Sequence, residues 1–239
     1  MKEKNVVLLH GVTSSGKTEV YTHLIDSVLR SGLQVLYLVP EIALTTQLTQ
    51  RLYRNFGNRL LIYHSKFSDN ERVDIWKQLL NDQTPKVVIG VRSSVFLPFS
   101  KLGLVIIDEE HETSFKQQDP APRYNARNAA LVLASMHGAK TLLGSATPSV
   151  ETYYNALSGK YGLVSLSTRY EGVELPIVET VDTKKARKKH LMRGAFSVSL
   201  IDECNEALLR GEQAIIFQNR RGFAPLVRCK ECAWTPKCV

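Results

Sequence analysis

The stretch VVLLHGVTSSGKT, from Val6 to Thr18, decides the fold class of this 239-residue chain. Its first four residues are apolar and predict a buried strand, and Gly11 to Thr18 match the pattern G-x-x-x-x-G-K-[ST] at the start of a predicted helix. Glycines allow backbone N–H groups to face phosphate oxygens, and a helix N-terminus adds a favourable dipole. We therefore expect a phosphate-binding loop, the alternative being a Gly/Ser turn that only caps the helix.

The side chains of this loop predict its cofactors. Lys17 is expected to reach the β- and γ-phosphates of a nucleotide and to serve catalysis, and Thr18 is expected to place its hydroxyl on Mg²⁺. This chemistry indicates ATP and Mg²⁺. The predicted nucleotide-binding residues are Gly11, Val12, Thr13, Ser14, Ser15, Gly16, Lys17 and Thr18.

Short apolar runs alternate with longer amphipathic stretches from Asn5 to Leu166, which predicts an α/β fold with a parallel sheet covered by helices on both faces. The longer stretches are interpreted as helices because their apolar residues recur at intervals of three and four, as at Val20, Leu24 and Val28. The predicted strands are 6–9, 35–39, 60–63, 86–90, 104–108 and 141–144, and the predicted helices are 17–30, 43–56, 69–80 and 126–136.

The pattern changes after Leu166, and we expect two domains, residues 1–180 and 181–239. Residues 167–182 are interpreted as an extended connector, followed by a basic segment, one helix (197–210) and a new strand (213–217). Too little chain remains after that strand to close a second sheet of ordinary size. We interpret the chain as a fragment of a longer protein, cut at both ends if its first four residues are only a cloning start.

A second motif, DEEH, follows the predicted strand that ends at Asp108. Carboxylates at the carboxyl end of a central parallel strand reach the ligand edge of the sheet. Asp108 is expected to hold Mg²⁺ through water, and Glu109 is expected to activate the water that attacks ATP. Taken alone, these acids also fit a solvated turn or a helix N-terminus. The phosphate-binding loop upstream favours the catalytic interpretation.

The third motif, Gly144 to Pro148, has the sequence GSATP and also follows an apolar run. Small hydroxyl residues at this edge can sense the γ-phosphate and pass its state to the next helix. The same sequence is a good helix N-cap with proline in the first turn, which is the structural alternative.

Composition and charge narrow the function classes. With 44% hydrophobic and 23% charged residues, the chain is neither a disordered protein nor a coiled coil. No run approaches the roughly 20 apolar residues of a membrane span and no signal peptide is evident, so we expect an intracellular protein without a membrane partner. The net charge of +8 favours an acidic partner such as nucleic acid, although six of the positive charges lie in residues 184–193. That basic run either contacts phosphates or is a solvated linker.

The cysteines predict a zinc site near the end of the chain. Cys229 and Cys232 have the C-x-x-C spacing that lets two thiolates reach one Zn²⁺, and Cys238 is a third candidate ligand. With only three ligands, we expect the site to be incomplete in this fragment. A redox C-x-x-C pair is the alternative, although no helix N-terminus is evident there. Cys204 lies on a helical pattern and is interpreted as a small buried hydrophobe.

The three motifs resemble those of superfamily 2 helicases, and the sequence between them narrows the match. The additional blocks are Leu38–Thr45, Tyr63–Ser65, Gly90–Phe99, Asp108–Gln118, Arg123–Arg127 and Asn219–Gly222. In this order they resemble the primosomal protein N′ (PriA) family over essentially the whole chain. One position departs from the family pattern, since Val91 stands where threonine is usual.

The resemblance implies a RecA-like P-loop lobe that binds ATP, followed by the truncated start of a second helicase lobe with a zinc-binding module. It implies an ATP-dependent 3′-to-5′ DNA helicase of replication restart and primosome assembly, of which this fragment alone is inactive. The implied partners are forked or single-stranded DNA bound without sequence preference, primosome proteins and single-strand-binding proteins, in the bacterial cytoplasm at the nucleoid. The family also continues with further cysteines that bind two zinc ions.

The resemblance carries further residue roles onto this chain. His111, Ser145, Ala146 and Thr147 are implied to couple the nucleotide to DNA. Blocks that line the DNA path in related helicases contain Pro40, Glu41, Thr45, His64, Ser65, Arg92 and Ser93. In the family's aromatic-rich loop, Phe115 is implied to stack on a base, and Arg123 or Arg127 to couple the strand to the ATP site; an ordinary surface loop with one aromatic anchor is the alternative.

Two other functions compete with this interpretation. One is a different superfamily 2 DNA translocase, such as a branch-migration or restriction motor, which the cysteine cluster disfavours. The other is a DNA-binding scaffold module in which the basic run and the cysteines dock partners and the ATP site is secondary.

Overall fold

The computed structural model describes residues 4–40, 46–64, 67–82, 84–170, 177–217 and 232. The chain divides into two compact units, Met1–Leu175 and Pro176–Val239. The first unit contains a seven-stranded sheet. Among the helices of the described ranges, none combines the length and the apolar character needed to cross a bilayer.

The sheet has the strand order β3-β4-β2-β5-β6-β1-β7, and each neighbouring pair is parallel. Its strands are β1 (Val6–Gly11), β2 (Gln34–Leu38), β3 (Leu60–Tyr63), β4 (Val87–Gly90), β5 (Leu102–Asp108), β6 (Lys140–Ser145) and β7 (Gly162–Leu166). The predicted parallel sheet is confirmed. The edge strand β7 was not predicted because three of its five residues are exposed, so it lacks the continuous apolar run of a buried parallel strand.

The described residues of the first unit form five α-helices: α1 (Lys17–Arg30), α2 (Thr46–Phe56), α3 (Asp69–Asn81), α4 (Ala126–Met136) and α5 (Val150–Leu157). The predicted bounds of α1 and α4 are confirmed. The predicted start of α2, residues 43–45, lies outside the described residues. The sequence indicated a helix after GSATP without bounds; this is α5, whose first turn is capped by the Ser149 side chain, which accepts from Thr152 N–H.

The helices cover both faces of the sheet, as predicted. Along β2, Val35 and Tyr37 pack on one face with α1 and α2, while Leu36 and Leu38 pack on the other face with α3 and α4. This alternation follows from the two-residue period of a strand. The sheet is therefore buried on both faces, and the ends of its strands are left to carry polar side chains.

Helix α1 is rotated from the position that its apolar pattern indicated. Its fully buried residues are Tyr21, Ile25 and Leu29, spaced four residues apart on one face. Val20, Leu24 and Val28 are only partly buried and pack at the edge of the same cluster. A polar-tipped tyrosine thus faces the sheet, in the turn that follows Lys17.

The second unit differs from its predicted structure. At the start of the basic run, which either contacts phosphates or is a solvated linker, Thr183–Lys188 form helix α6, which Asp182 caps by accepting from Lys184 N–H and Lys185 N–H. A short antiparallel pair, β8 (Met192–Arg193) and β9 (Phe196–Ser197), and helix α7 (Val198–Leu209) follow. Cys204 on α7 is half-buried. The strand predicted over 213–217 is wrong, because these residues are exposed and pair with no strand in the described part of the chain.

Candidate active site

The phosphate-binding loop connects β1 to α1 as predicted. Gly16 adopts a left-handed backbone with φ of 84°, which glycine tolerates without a steric penalty, and α1 begins at Lys17 with no side-chain cap. The uncapped first turn leaves backbone N–H groups for an outside acceptor. The Lys17 Nζ donates to the Gly11 carbonyl at 2.8 Å, so the ammonium group folds back over the loop.

This loop forms one wall of a cavity of about 560 Å³. The cavity is lined by Thr13, Ser14, Ser15, Gly16, Lys17, Thr18, Glu19, Arg51, Asp108, Glu109 and Tyr170. Inside the loop, the Ser15 Oγ is buried and has no hydrogen-bond partner in the described residues. A basic side chain, an uncapped helix N-terminus and an unpartnered hydroxyl are donors that suit phosphate, so these residues fit ATP.

Asp108 ends β5 at the wall of the cavity that faces Lys17. Its Oδ1 accepts from the Tyr21 hydroxyl at 2.9 Å and from Glu109 N–H at 3.1 Å, and its Oδ2 accepts from the Tyr37 hydroxyl at 3.5 Å. Burial raises the pKa of Asp108, while hydrogen bonds from Tyr21 and from the Glu109 amide oppose that rise. A carboxylate near a phosphate site and a Thr18 hydroxyl are oxygen ligands of the kind that Mg²⁺ binds.

Glu109 holds a strained backbone conformation beside Asp108. Its φ is 47°, which is uncommon for a residue with a side chain and occurs often at functional sites. The side chain is half-buried, and its pKa is raised by burial and then by the neighbouring Asp108 carboxylate. A carboxylate with a raised pKa at the wall of a phosphate-binding cavity suits a general base.

The second and third motifs meet through His111. Its Nδ1 lies 2.8 Å from Ser145 Oγ and 3.6 Å from Glu109 Oε2, and its Nε2 lies 3.4 Å from Thr147 Oγ1. Ser145 Oγ also accepts from Thr147 N–H at 3.0 Å. Ala146 contributes no hydrogen-bonding side chain and lines an apolar cleft with Pro148 and α5 instead. The four predicted coupling residues therefore lie together, with His111 joining Glu109 to the GSATP turn.

A buried carboxylate that the sequence motifs did not indicate lies between them. Glu110 is 1% exposed, and its Oε2 accepts from Arg127 at 2.8 Å and from the Thr152 hydroxyl at 2.9 Å. Its Oε1 accepts from Ser149 N–H at 2.7 Å. The ion pair thus connects the DEEH turn to the first turns of α4 and α5. Two features of the sequence could have indicated this ion pair. Glu110, the third residue of DEEH, had no predicted role, and Arg127 of the RYNAR block offered a cation.

Three of the seven predicted DNA-path residues line a second cavity, of about 500 Å³. Pro40, Arg92 and Ser93 line it, opposite residues 113–118. Arg92 donates to the carbonyls of Ser114 and Lys116, each at 3.4 Å, which connects the two walls. The His64 ring contacts the Phe67 ring in a tilted arrangement, with 4.0 Å between their centroids. Glu41, Thr45 and Ser65 lie outside the described residues.

The aromatic-rich loop differs from its predicted role at Phe115. Its side chain is 2% exposed and belongs to the core cluster beneath the sheet, so the expected stacking of Phe115 on a base is corrected to a packing role. Arg123 is exposed, whereas Arg127 is held by Glu110. The exposed ring in this region is Phe96, which contacts Tyr124 edge to face at 4.9 Å.

The predicted zinc ligands fall almost wholly outside the described residues. Cys229 and Cys238 are not described, and Cys232 has an exposed free thiol. Within the described ranges, no group of three or more His, Cys, Asp or Glu side chains is arranged to hold a metal ion.

The sequence is similar to known proteins over most of its length. Residues 1–156 match the family model described as DEAD/DEAH box helicase. Over 236 residues the chain is 42% identical to the replication restart protein PriA of Bacillus subtilis (strain 168), covering 99% of this chain and 29% of that protein. Over 225 residues it is 47% identical to the replication restart protein PriA of Rickettsia felis, covering 94% of this chain and 34% of that protein.

A solved structure has the same fold. The structure of RecG bound to a three-way DNA junction superposes with a TM-score of 0.50 at 25% sequence identity, covering 72% of this chain and 22% of that chain. The chain spans about one third or less of the length of the two curated relatives.

Proposed function

The chain belongs to the DEAD/DEAH box helicase family, and from that premise we propose that it is the ATP-binding motor lobe of a PriA-type replication-restart DNA helicase. The observation that carries this proposal is the meeting of the three motifs at one edge of the sheet. Lys17 of the phosphate-binding loop lines one cavity with Asp108 and Glu109 of DEEH, and His111 of DEEH contacts Ser145 of GSATP. That arrangement supplies phosphate binding, water activation and a link to a second site in a single lobe.

In this proposal each side chain of the ATP cavity has one task. Lys17 leaves the Gly11 carbonyl and pairs with the β- and γ-phosphates, which bind at the uncapped end of α1. Glu109 accepts a proton from the attacking water. Asp108 and Thr18 would hold Mg²⁺, which neutralises phosphate charge when it is bound. His111 relays the state of this cavity to Ser145 and Thr147.

Single-stranded or forked DNA is the proposed partner of the second cavity. Arg92 and Ser93 offer a cation and a hydroxyl to a sugar-phosphate backbone, which carries no sequence information. Arg127 contributes to coupling through Glu110, because the buried ion pair joins the DEEH turn to the first turn of α4, the helix that follows the aromatic-rich loop. The protein called RecG in the comparison was solved on a DNA junction, which supports a DNA substrate for this fold.

The wider biological role follows the two curated relatives. We propose a role in replication restart from the name of these relatives. From the sequence resemblance we propose primosome and single-strand-binding proteins as partners, and a cytoplasmic location. Zinc binding by Cys229, Cys232 and Cys238 stays a prediction for a longer form of the protein. We expect this chain to bind nucleotide weakly and to unwind little DNA, since such sites normally use arginines from a second lobe.

Replacement of Lys17 tests the proposal directly. In the longer protein, Lys17→Ala should abolish ATP turnover and leave DNA affinity unchanged, because the ammonium group serves phosphate and lies outside the DNA cavity. ATP hydrolysis is measured by phosphate release, and DNA affinity by anisotropy of a labelled forked oligonucleotide.

A matched control uses Lys140→Ala. Lys140 begins β6 at the opposite end of the sheet and donates to Asn5 Oδ1 at 2.7 Å. We expect this variant to hydrolyse ATP at the wild-type rate. Wild-type turnover in Lys17→Ala would remove Lys17 from the mechanism and contradict the proposed ATP site.

A scaffold function is the second candidate, favoured by the exposed basic run around α6. In that case the loss of Lys17 would leave the biological activity intact, while neutralising the run would abolish DNA binding.

A further inference from the structure

We propose that Tyr21 is a positioning residue of the ATP site: its hydroxyl orients the Asp108 carboxylate toward Mg²⁺-nucleotide, and Gly144 is glycine because that hydroxyl occupies the space beside it. This inference rests on the proposed ATP-binding function and adds Tyr21, a residue that no motif of the site contains.

The geometry begins with the placement of Tyr21 on α1. It follows Lys17 by four residues, so the two side chains project from one face of the helix, one turn apart. The Tyr21 hydroxyl donates to Asp108 Oδ1 at 2.9 Å. Helix α1 therefore carries Lys17, the proposed phosphate ligand, in its first turn and Tyr21, the hydrogen-bond donor to Asp108, in its second turn.

Both oxygens of Asp108 receive donors, but not equally. Oδ1 accepts two hydrogen bonds, from Tyr21 and from the Glu109 amide, whereas Oδ2 accepts one longer bond, of 3.5 Å, from Tyr37. A carboxylate oxygen has two lone pairs, so Oδ1 is saturated and Oδ2 keeps one for a further partner. These hydrogen bonds therefore leave Oδ2 as the oxygen that can accept from a metal-bound water.

The tyrosine rings are built into the core, which makes their hydroxyls rigid donors. Tyr21 and Tyr37 are both 0% exposed, and their rings pack edge to face at 5.6 Å. Phenylalanine would fill the same apolar space, so packing does not account for the hydroxyls. Hydrogen bonds of this kind, donated to a carboxylate that ligates a metal, orient the carboxylate, and their removal typically lowers metal affinity 10–100-fold.

Gly144 supplies an independent observation. It lies directly opposite Asp108 in the register of β5 and β6. A Cβ atom added there would lie 1.8 Å from the Tyr21 hydroxyl oxygen and 3.3 Å from Asp108 Oδ1. No other residue type leaves room for that hydroxyl, so the first letter of the GSATP motif is explained by a contact with α1.

The first test measures how much Mg²⁺ strengthens the binding of a fluorescent ATP analogue, as the ratio of its affinities in Mg²⁺ and in EDTA. In the Tyr21→Phe chain we expect this ratio to fall by roughly tenfold, with the affinity in EDTA unchanged. Tyr37→Phe should lower the ratio less, because its hydrogen bond is longer.

Tyr63→Phe is the matched control for the first test. Tyr63 is 7% exposed and its hydroxyl accepts from Arg72, away from Asp108. We expect the Mg²⁺ ratio of this variant to equal that of the wild-type chain. An unchanged ratio in Tyr21→Phe overturns the positioning role and leaves the proposed function standing; a wild-type chain whose affinity does not respond to Mg²⁺ overturns both.

The second test needs no nucleotide. Gly144→Ala should lower the midpoint of thermal unfolding, because its methyl group collides with the Tyr21 hydroxyl. In a Tyr21→Phe background the same substitution should lower the midpoint clearly less, since the nearest ring atom then lies 2.9 Å away. Equal shifts in the two backgrounds would overturn the assignment of Gly144.

Discussion

Glu110 is the most deeply buried acid of the site and the one whose charge depends on a single cation. Its carboxylate is enclosed by Arg127 and by the hydroxyls of Ser149 and Thr152. Removing one partner of a buried ion pair leaves an uncompensated charge, which costs more than the pair itself contributes. The pair matters for function because Glu110 lies between Glu109 and His111, so its position sets the path of the DEEH turn.

Arg127→Ala should therefore destabilise the first unit by about 3–5 kcal/mol. Arg123→Ala is the matched control: this arginine lies four residues earlier, in the loop before α4, and is exposed, and its loss should change the free energy of unfolding by no more than about 0.5 kcal/mol. Urea denaturation followed by circular dichroism gives both values. Equal effects of the two substitutions would show that Glu110 does not depend on Arg127.

Helix α4 approaches the sheet closely because it presents a stripe of small residues. Ala126, Ala130 and Ala134 recur every four residues and are all at most 2% exposed, in contact with the cluster that includes Val105 and Ile107 of β5. Since α4 begins just after the aromatic-rich loop and carries Arg127 in its first turn, its distance from the sheet determines whether Arg127 reaches Glu110.

Ala130→Leu should push α4 away from β5 and lower the free energy of unfolding by about 1–3 kcal/mol, the usual cost of overpacking a core. Val132→Leu, on the same helix at a position that is 60% exposed, should change it by at most about 0.5 kcal/mol. Denaturant midpoints of the two variants provide the comparison. If Ala130→Leu were as stable as wild type, α4 would not be held by close packing.

Charge is distributed unevenly over the chain. The net charge is +8, and six of the cations lie in residues 184–193 of the second unit, where all six are exposed. The run folds in part as helix α6, with Asp182 at its N-terminus, so it is more ordered than the linker predicted from its composition. A dense, exposed cation cluster releases counterions when it meets phosphates, which makes any binding by it strongly salt-dependent.

Replacing Lys184, Lys185 and Lys188 with glutamine should flatten the plot of log affinity for single-stranded DNA against log salt, by about 2 in slope if each lysine contacts one phosphate. Arg30, Lys101 and Lys160 carry the same charge on exposed positions of the first unit, and their glutamine variant should keep the wild-type slope. Fluorescence anisotropy across a salt series measures both. A slope that is unchanged in the first variant would mean that the run is only solvated.

The sequence was sufficient for features whose cause is local. Helices α1 and α4 have the predicted bounds, because a turn or cap residue precedes a continuous amphipathic pattern. The order of strand, phosphate-binding loop and helix was also readable, since glycine and lysine positions in that loop follow from backbone chemistry within a few residues. The resemblance to the PriA family then indicated a fold and a function, because the order of the motifs can be recognised in the sequence without knowing which residues are in contact.

Other features depend on packing between distant parts of the chain. The Tyr21 and Tyr37 hydroxyls reach Asp108 across 87 and 71 residues of sequence, and nothing in the local pattern distinguishes them from ordinary core tyrosines. Phe115 is a similar case: its sequence indicates a surface loop, whereas in the structure its side chain is buried in the core. Local periodicity determines which residues form a helix or a strand. The register of the sheet and the rotation of each helix determine which side chains come into contact. Register and rotation are fixed only when the whole core packs together.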